Sequence, residues 1–289
     1  MPATLFGERE LSLPNVATVP QYSPFRYPGG KSRWYNLVKA WTRAHQPEVF
    51  IEPFAGGAHA GLAVAIEELA GRVVLVELDD NVAAVWRVIV EEPEGAAWLC
   101  EQIMGLDLSH ESADTLLERK DNSPRDRALA MIVSNRISRG GVTAPGAGRL
   151  NSGENGKGLQ SRWYPETLAE RIQQIAEARE RIEFVHGDGM GVARRYRREP
   201  GAAFFIDPPY PEAGGRLYEH SDVDHEAIFD LSETATGTVL LTYDDSDQVE
   251  NLVARHEDLE HEHLRVSSAH HRFKGEFLIG QNLNWLDGL

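Results

Sequence analysis

One stretch near the start of the chain limits the fold more than any other. Val49-Phe50-Ile51 is a short apolar run, followed at once by the turn-rich Glu52-Pro53-Phe54-Ala55-Gly56-Gly57 and a helical stretch through Leu62, Ile66 and Leu69. A second β-prone run, Arg72 to Val76, ends at Glu77. Strand, glycine turn, helix, strand and terminal acid make one βαβ unit of the nucleotide-binding kind. Glu77 stands 77 − 56 = 21 residues beyond Gly56, close to the spacing at which an acid meets a ribose hydroxyl pair. Gly56, Gly57 and Gly61 do not form the G-x-G-x-x-G pattern of dinucleotide enzymes.

Three more apolar β-prone runs follow far downstream, at Ile182 to Val185, Ala202 to Ile206 and Thr238 to Tyr243, separated by helix-compatible segments. Two last runs, His263 to Ser267 and Glu276 to Leu283, are placed to close the sheet as an antiparallel hairpin. The expectation is an α/β fold with a mostly parallel sheet. Between its halves the pattern turns helical, at Val82 to Val90, Arg125 to Ile137 and Leu168 to Glu180, around a glycine-rich loop from Gly140 to Gly158. The expected organisation is a loose arm over residues 1–21, a discontinuous core over 22–90 and 180–289, and a helical insertion over 91–179.

At 289 residues the chain can bury a sizeable core. No apolar stretch approaches a membrane span, and Met1 to Tyr22 lacks the plan of a secretory signal, so a soluble, cytoplasmic protein is expected. Cys100 is the single cysteine, which excludes an internal disulfide and a Cys-based zinc cluster. His256, His261, His263, His270 and His271 are too loosely spaced to argue for a metal, and none is expected. The net charge of −16 argues against a polyanionic partner until its distribution is read. Tyr22 to His45 holds five basic residues and no acid (+5), and Ser134 to Trp163 holds five basic residues against Glu154 (+4), leaving −16 − 9 = −25 on the rest. A surface so divided can guide nucleic acid to two patches and repel it elsewhere.

Asp207-Pro208-Pro209-Tyr210 directly follows Ala202 to Ile206, where a parallel strand delivers side chains to a ligand crevice. An exocyclic base amine is a poor nucleophile because its lone pair is delocalised into the ring. Acceptors that bind its N–H groups draw the nitrogen toward tetrahedral geometry, and the Asp207 carboxylate and Pro208 carbonyl are suited to that. Two prolines hold the carbonyls rigidly, and Tyr210 offers a face on which an extruded base can stack. Methyl transfer from a sulfonium then needs in-line positioning more than a strong base. Tyr27-Pro28-Gly29-Gly30-Lys31-Ser32 invites comparison with a phosphate-binding loop, but Phe25 stands where that motif needs its first glycine. A glycine turn that brings Lys31 to an anion, such as the carboxylate of a methionine moiety, fits better.

In this order, over residues 23 to about 285, these motifs resemble those of the Dam-like DNA adenine N6-methyltransferases. The resemblance implies a Rossmann-like core that uses S-adenosylmethionine (SAM) to methylate N6 of an adenine flipped from double-stranded DNA, at a specific site. It implies cofactor contacts from Tyr27 and Lys31, from the loop residues Glu52, Pro53, Phe54, Gly56 and Gly57, from Glu77 to the ribose, and from Asp188 to the adenine ring. Asp207, facing cofactor and base, with Pro208, Pro209 and Tyr210, is the implied catalytic set. Ala58 departs from the family, whose members usually carry a second glycine there. The insertion resembles the family's target-recognition region only around Ser134-Asn135-Arg136, and Arg136, Arg139, Arg149, Lys157 and Arg162 are the candidate DNA contacts. A monomer or weak dimer is expected; a cognate restriction nuclease stays open. The alternatives are methyl transfer to cytosine N4 or to an amine of RNA or protein, and a non-catalytic SAM- or DNA-binding regulator.

Overall fold

The computed structural model describes residues 13–26, 30–118, 123–142, 148–150, 156–211, 222–267 and 273–288. Seven strands form one sheet: β1 (Val49–Glu52), β2 (Arg72–Glu77), β3 (Ile182–His186), β4 (Ala202–Ile206), β5 (Thr238–Asp244), β6 (Glu260–Ser267) and β7 (Phe273–Gly280). Their order is β3-β2-β1-β4-β5-β7-β6. The first five run parallel, β7 lies antiparallel to β5, and β6 is antiparallel to β7. This is the expected Rossmann-like sheet with its C-terminal hairpin. Strand order reverses between β1 and β4, so a crevice opens beyond their carboxyl ends, where Glu52 and Asp207 stand.

The central strands read as uninterrupted apolar runs because both sheet faces are covered. All five residues of β4 are buried, and alternate ones enter opposite cores: Ala203 and Phe205 one, Ala202, Phe204 and Ile206 the other. Phe50 of β1 stacks on Phe205 with ring centroids 6.4 Å apart. Burial of each such ring contributes about 1.5–3 kcal/mol.

One face carries α1 (Tyr35–His45), α2 (His59–Ile66) and the helices between β2 and β3: α3 (Asp80–Trp86), α4 (Gly95–Gly105), α5 (His110–Leu117), α6 (Pro124–Ile137) and α7 (Pro165–Glu177). The other carries α8 (Gly189–Tyr196), α9 (His225–Thr234) and α10 (Asp247–Arg255). The helices inserted after β2 share a single apolar cluster with the sheet residues Phe50, Val73, Leu75 and Phe205.

Several boundaries differ from those expected. Helix α3 runs into a π turn at Arg87–Glu91, and α7 starts at Pro165 and stops at Glu177, its expected tail forming a 3-10 turn at Arg179–Arg181. β6 begins at Glu260 and β7 at Phe273, each three residues early. β6 is an edge strand, so pairing with β7 can hold polar Glu260, His261 and Glu262 in the ladder without an apolar signature. In the described part of the arm, residues 13–21, Val19 is buried, and Gln21 donates to the carbonyls of Val16 and Val19. Among the described residues no helix is long and apolar enough to cross a membrane.

Candidate active site

The glycine turn between β1 and α2 is held by residues remote in sequence. Helix α2 begins after Ala58, whose methyl cannot cap the unpaired N–H groups of the first turn. Glu52 supplies the acceptor from the end of β1: its Oε2 takes the Gly61 N–H at 2.7 Å. Glu52 was expected to touch the cofactor; in the structure its carboxylate is turned inward, only 3 % of the residue being exposed. Burial, helped by the nearby Asp207 charge, pushes its pKa up to about 8 against the N–H groups of Gly61 and Ala60. A carboxyl raised in the fold stabilises fully below its ordinary value of 4.5 and loses that contribution as pH rises through about 8. Glu52→Gln is therefore expected to flatten the decline in stability between about pH 5 and pH 9, in thermal unfolding across that range. Identical pH slopes for the two proteins would refute it.

Ala58 is the departure that matters for the loop. It adopts φ 51°, ψ 36°, in the left-handed region, and Gly56 has φ 47°, whereas Gly57 is not among the positive-φ glycines. The turn keeps a glycine conformation where the sequence has alanine, at a cost of about 1–2 kcal/mol. Burial of the methyl, 1 % exposed, offsets about 0.8 kcal/mol of that. Trp86 Nε1 donates to the Gly56 carbonyl at 3.0 Å, and Ala55 N–H donates to Val76 at 2.9 Å, so α3 and β2 hold the turn.

Glu77 ends β2 facing this turn. Its Oε2 accepts the Gly56 N–H at 2.8 Å, and its Oε1 accepts those of Leu78 and Asp79 at 2.7 and 2.8 Å. Burial, with Asp79 nearby, lifts its pKa to about 7 in spite of these three donors. Asp188 is exposed and caps α8, accepting from the N–H groups of Met190 and Gly191, each at 3.0 Å. The next residue has to be glycine: a Cβ on Gly189 would lie 1.8 Å from the Pro53 carbonyl oxygen. Pro53, Gly56, Glu77 and Asp188 are thus brought around one crevice at the ends of β1, β2 and β3. Phe54 is half-buried beside it, packed on the α8 side of the sheet. Tyr27 lies outside the described residues.

Asp207 leaves β4 at the same end of the sheet. Its Oδ1 accepts from Thr242 Oγ1 at 2.7 Å and pairs with Lys31 Nζ at 3.2 Å. Lys31 Nζ also donates to Tyr210 Oη at 2.6 Å and to Glu276 Oε2 at 3.2 Å. Burial opposes the charge of Lys31, yet Asp207 and Glu276 outweigh it and hold the ammonium above the ordinary lysine value. Lys31 was expected to meet a methionine carboxylate. In the structure its ammonium faces Asp207, Glu276 and Tyr210. The Tyr210 ring stacks on Tyr243 at 6.0 Å, with an interplanar angle of 27°. Tyr243 bonds His225 Nδ1 at 3.0 Å, and burial, then Asp207 and Asp244, raises its phenol pKa well above the ordinary value.

Thr242, Tyr243 and Glu276 were not expected at the site. A hydroxyl inside the apolar run of β5, beside the strand that carries Asp207, was the one available signal for Thr242. His59, at the start of α2, is a further addition: burial, then Arg171 and Lys31, pushes its pKa down to about 4, so it is neutral at pH 7.

The donor set suits SAM. Glu77 stands at ribose spacing, the glycines let backbone approach a ligand, and Asp188 offers an exposed carboxylate. Lys31, Asp207 and Glu276 together carry 1 − 2 = −1, which complements a sulfonium cation when both acids are ionised.

The five basic residues expected on DNA are placed differently from one another. Arg136 is 5 % exposed and donates to the Pro24 carbonyl, because the last turn of α6 packs against segment 23–26. Burial, then the nearby Arg171 and Arg26, lowers its pKa to about 9. The adjacent Asn135 fastens the same segment, accepting from Arg26 N–H and donating to Arg26 O, both at 2.8 Å. Arg149 is paired with Asp114. A single antiparallel bridge, Ser138 to Arg149, sets it beside Arg139, which is exposed. Lys157 is exposed and Arg162 half-buried.

A model of the D12 class N6 adenine-specific DNA methyltransferases matches residues 27–267 of the chain. No curated protein matches the sequence. Solved structures do. The rRNA methyltransferase AviRa from Streptomyces viridochromogenes is 12% identical with a TM-score of 0.43, over 88% of this chain and 86% of that one. The O-methyltransferase TomG from Streptomyces achromogenes, solved with SAM, is 11% identical with a TM-score of 0.41, over 86% and 79%. An O-methyltransferase from Bacillus cereus in complex with SAH is 12% identical with a TM-score of 0.39, over 91% and 84%.

Proposed function

Because the chain belongs to the D12 class N6 adenine-specific DNA methyltransferase family, and is a SAM-dependent enzyme of that kind, we propose that Asp207, Pro208, Pro209 and Tyr210 form its catalytic centre. The observation that carries this is the tethering of Asp207. Thr242 and Lys31 hold Oδ1, while Oδ2 makes no hydrogen bond to a described residue and a quarter of the side chain is exposed to the crevice.

SAM supplies an electrophilic methyl group on a sulfonium. Asp207 Oδ2 accepts one N6–H of the flipped adenine and the Pro208 carbonyl accepts the other, raising the lone-pair density on nitrogen. Tyr210, backed by Tyr243, gives the base a flat support. The N–C bond forms as the methyl's bond to sulfur breaks, leaving a neutral thioether, and the cationic amine then releases its extra proton to Asp207. Pro53, Phe54, Gly56, Gly57, Glu77 and Asp188 line the cofactor side; Glu52 and Lys31 act on it indirectly, by ordering α2 and Asp207.

The substrate form is double-stranded DNA, and segment 91–179 reads the target. Core segments 22–90 and 180–289 hold the chemistry. Arg139, Lys157 and Arg162 are the phosphate contacts, with Arg149 released from Asp114 when DNA is bound. The protein acts as a cytoplasmic monomer or weak dimer. Mass spectrometry of nucleosides from duplex DNA incubated with enzyme and SAM tests the assignment, with N6-methyladenine the expected product. N4-methylcytosine without N6-methyladenine would overturn it.

A further inference from the structure

Glu276 enters the site from the antiparallel hairpin, a part of the sheet remote from the motifs that carry the reaction. It sits on β7, paired in register with Asp244 of β5, and its carboxylate reaches across to Lys31. Lys31 Nζ stands 3.2 Å from Glu276 Oε2 and 3.2 Å from Asp207 Oδ1, so the two acids share one buried cation equally. The side chain of Lys31 is 4 % exposed, and its ammonium lies 5.5 Å from the Trp34 ring centroid and 5.1 Å from that of Tyr210. With Asp207 as its only carboxylate, the buried ammonium would form a neutral pair and be free to close on that carboxylate. Asp207 would then be a weaker acceptor for the amine it has to polarise.

We propose that Glu276 is a positioning residue for methyl transfer, which draws the Lys31 ammonium away from Asp207 and leaves the three-residue group with a net negative charge facing the reacting nitrogen. Lys31 thereby orients the catalytic carboxylate without neutralising it. The inference rests on the assignment of Asp207 as the acceptor, but not on which base carries the amine.

Glu276→Gln removes the charge and keeps an oxygen for Lys31; Glu276→Asp keeps the charge on a shorter stem. Transfer of tritiated methyl groups from SAM to duplex DNA, counted without regard to the base, gives kcat and KM for each, and thermal unfolding reports the fold. Expected for Glu276→Gln is a fall in kcat of about tenfold or more, with KM for DNA changed by less than about threefold and unfolding near that of wild type. Glu276→Asp is expected to recover most of the lost kcat. A glutamine variant within about twofold of wild type in kcat overturns the proposal. So does an equal loss in both variants, which assigns Glu276 to structure alone, or a loss confined to KM. Product on cytosine instead of adenine would overturn the adenine assignment and leave this inference standing. Absence of any transfer by wild type would sink both.

Discussion

Replacing Asp207 with alanine lowers the rate of methyl transfer by about 10²–10³-fold, the scale seen when one preorganised hydrogen-bonding group is removed from a reaction centre. The effect falls on the chemical step. Alanine deletes the acceptor for the N6–H and the site for the released proton, while the turn around Gly56, Glu77 and Asp188 is held by hydrogen bonds that do not involve Asp207. SAM affinity is thus expected to stay within severalfold of wild type. Thr242 Oγ1 loses its partner, and Lys31 keeps Glu276 as its one carboxylate, so a modest loss of stability accompanies the change. Single-turnover transfer and calorimetric titration with SAM separate the two effects. Wild-type turnover in the variant would refute the assigned chemistry, and lost SAM binding with an intact fold would move Asp207 to the cofactor.

Lys31→Met is the change with the largest expected effect on stability. It leaves Asp207 and Glu276, 25% and 15% exposed, facing each other without the cation between them. Breaking a buried pair by removing one partner costs about 3–5 kcal/mol, and the partial exposure of both acids places the expected loss below that range, about 2–3 kcal/mol at pH 8. The sign of the pH dependence follows from Glu276, whose pKa burial already raises even with Lys31 beside it. Without Lys31 that pKa rises further, so on acidification the carboxyl takes up its proton earlier and the repulsion is relieved. The variant should therefore approach wild type in acid and fall behind as pH rises. Urea unfolding at several pH values measures the gap; a gap that stays constant or widens in acid contradicts the buried triad. Methyl transfer falls as well, since Asp207 keeps only Thr242 to orient it.

Much of this architecture could be read in advance for reasons that are local. Val49 to Ile51 and Ala202 to Ile206 are continuous apolar runs because each is buried on both faces, and such a run is visible without knowledge of its neighbours. The first residues of the edge strand β6 gave no comparable signal, since backbone pairing rather than side-chain burial places Glu260 and His261 in the sheet. Arg136 illustrates the opposite error. As an arginine in a basic segment it reads as a surface cation, but the last turn of α6 is covered by segment 23–26, 112 residues earlier in the chain, and the guanidinium closes on Pro24.

From the sequence alone come the βαβ unit with its terminal acid, the place of Asp207-Pro208-Pro209-Tyr210 beyond an interior strand, and the resemblance that joined them to adenine methylation. Each is a contiguous pattern whose meaning travels with the residues themselves. The tertiary structure decided how those residues are used. It turned Glu52 inward to cap α2, put Ala58 into a left-handed turn, and divided Lys31 between Asp207 and a glutamate 245 positions away. A carboxylate is a cap, a counter-ion or an acceptor according to the donors that packing brings within about 3 Å. When those donors come from distant parts of the chain, no local pattern encodes them.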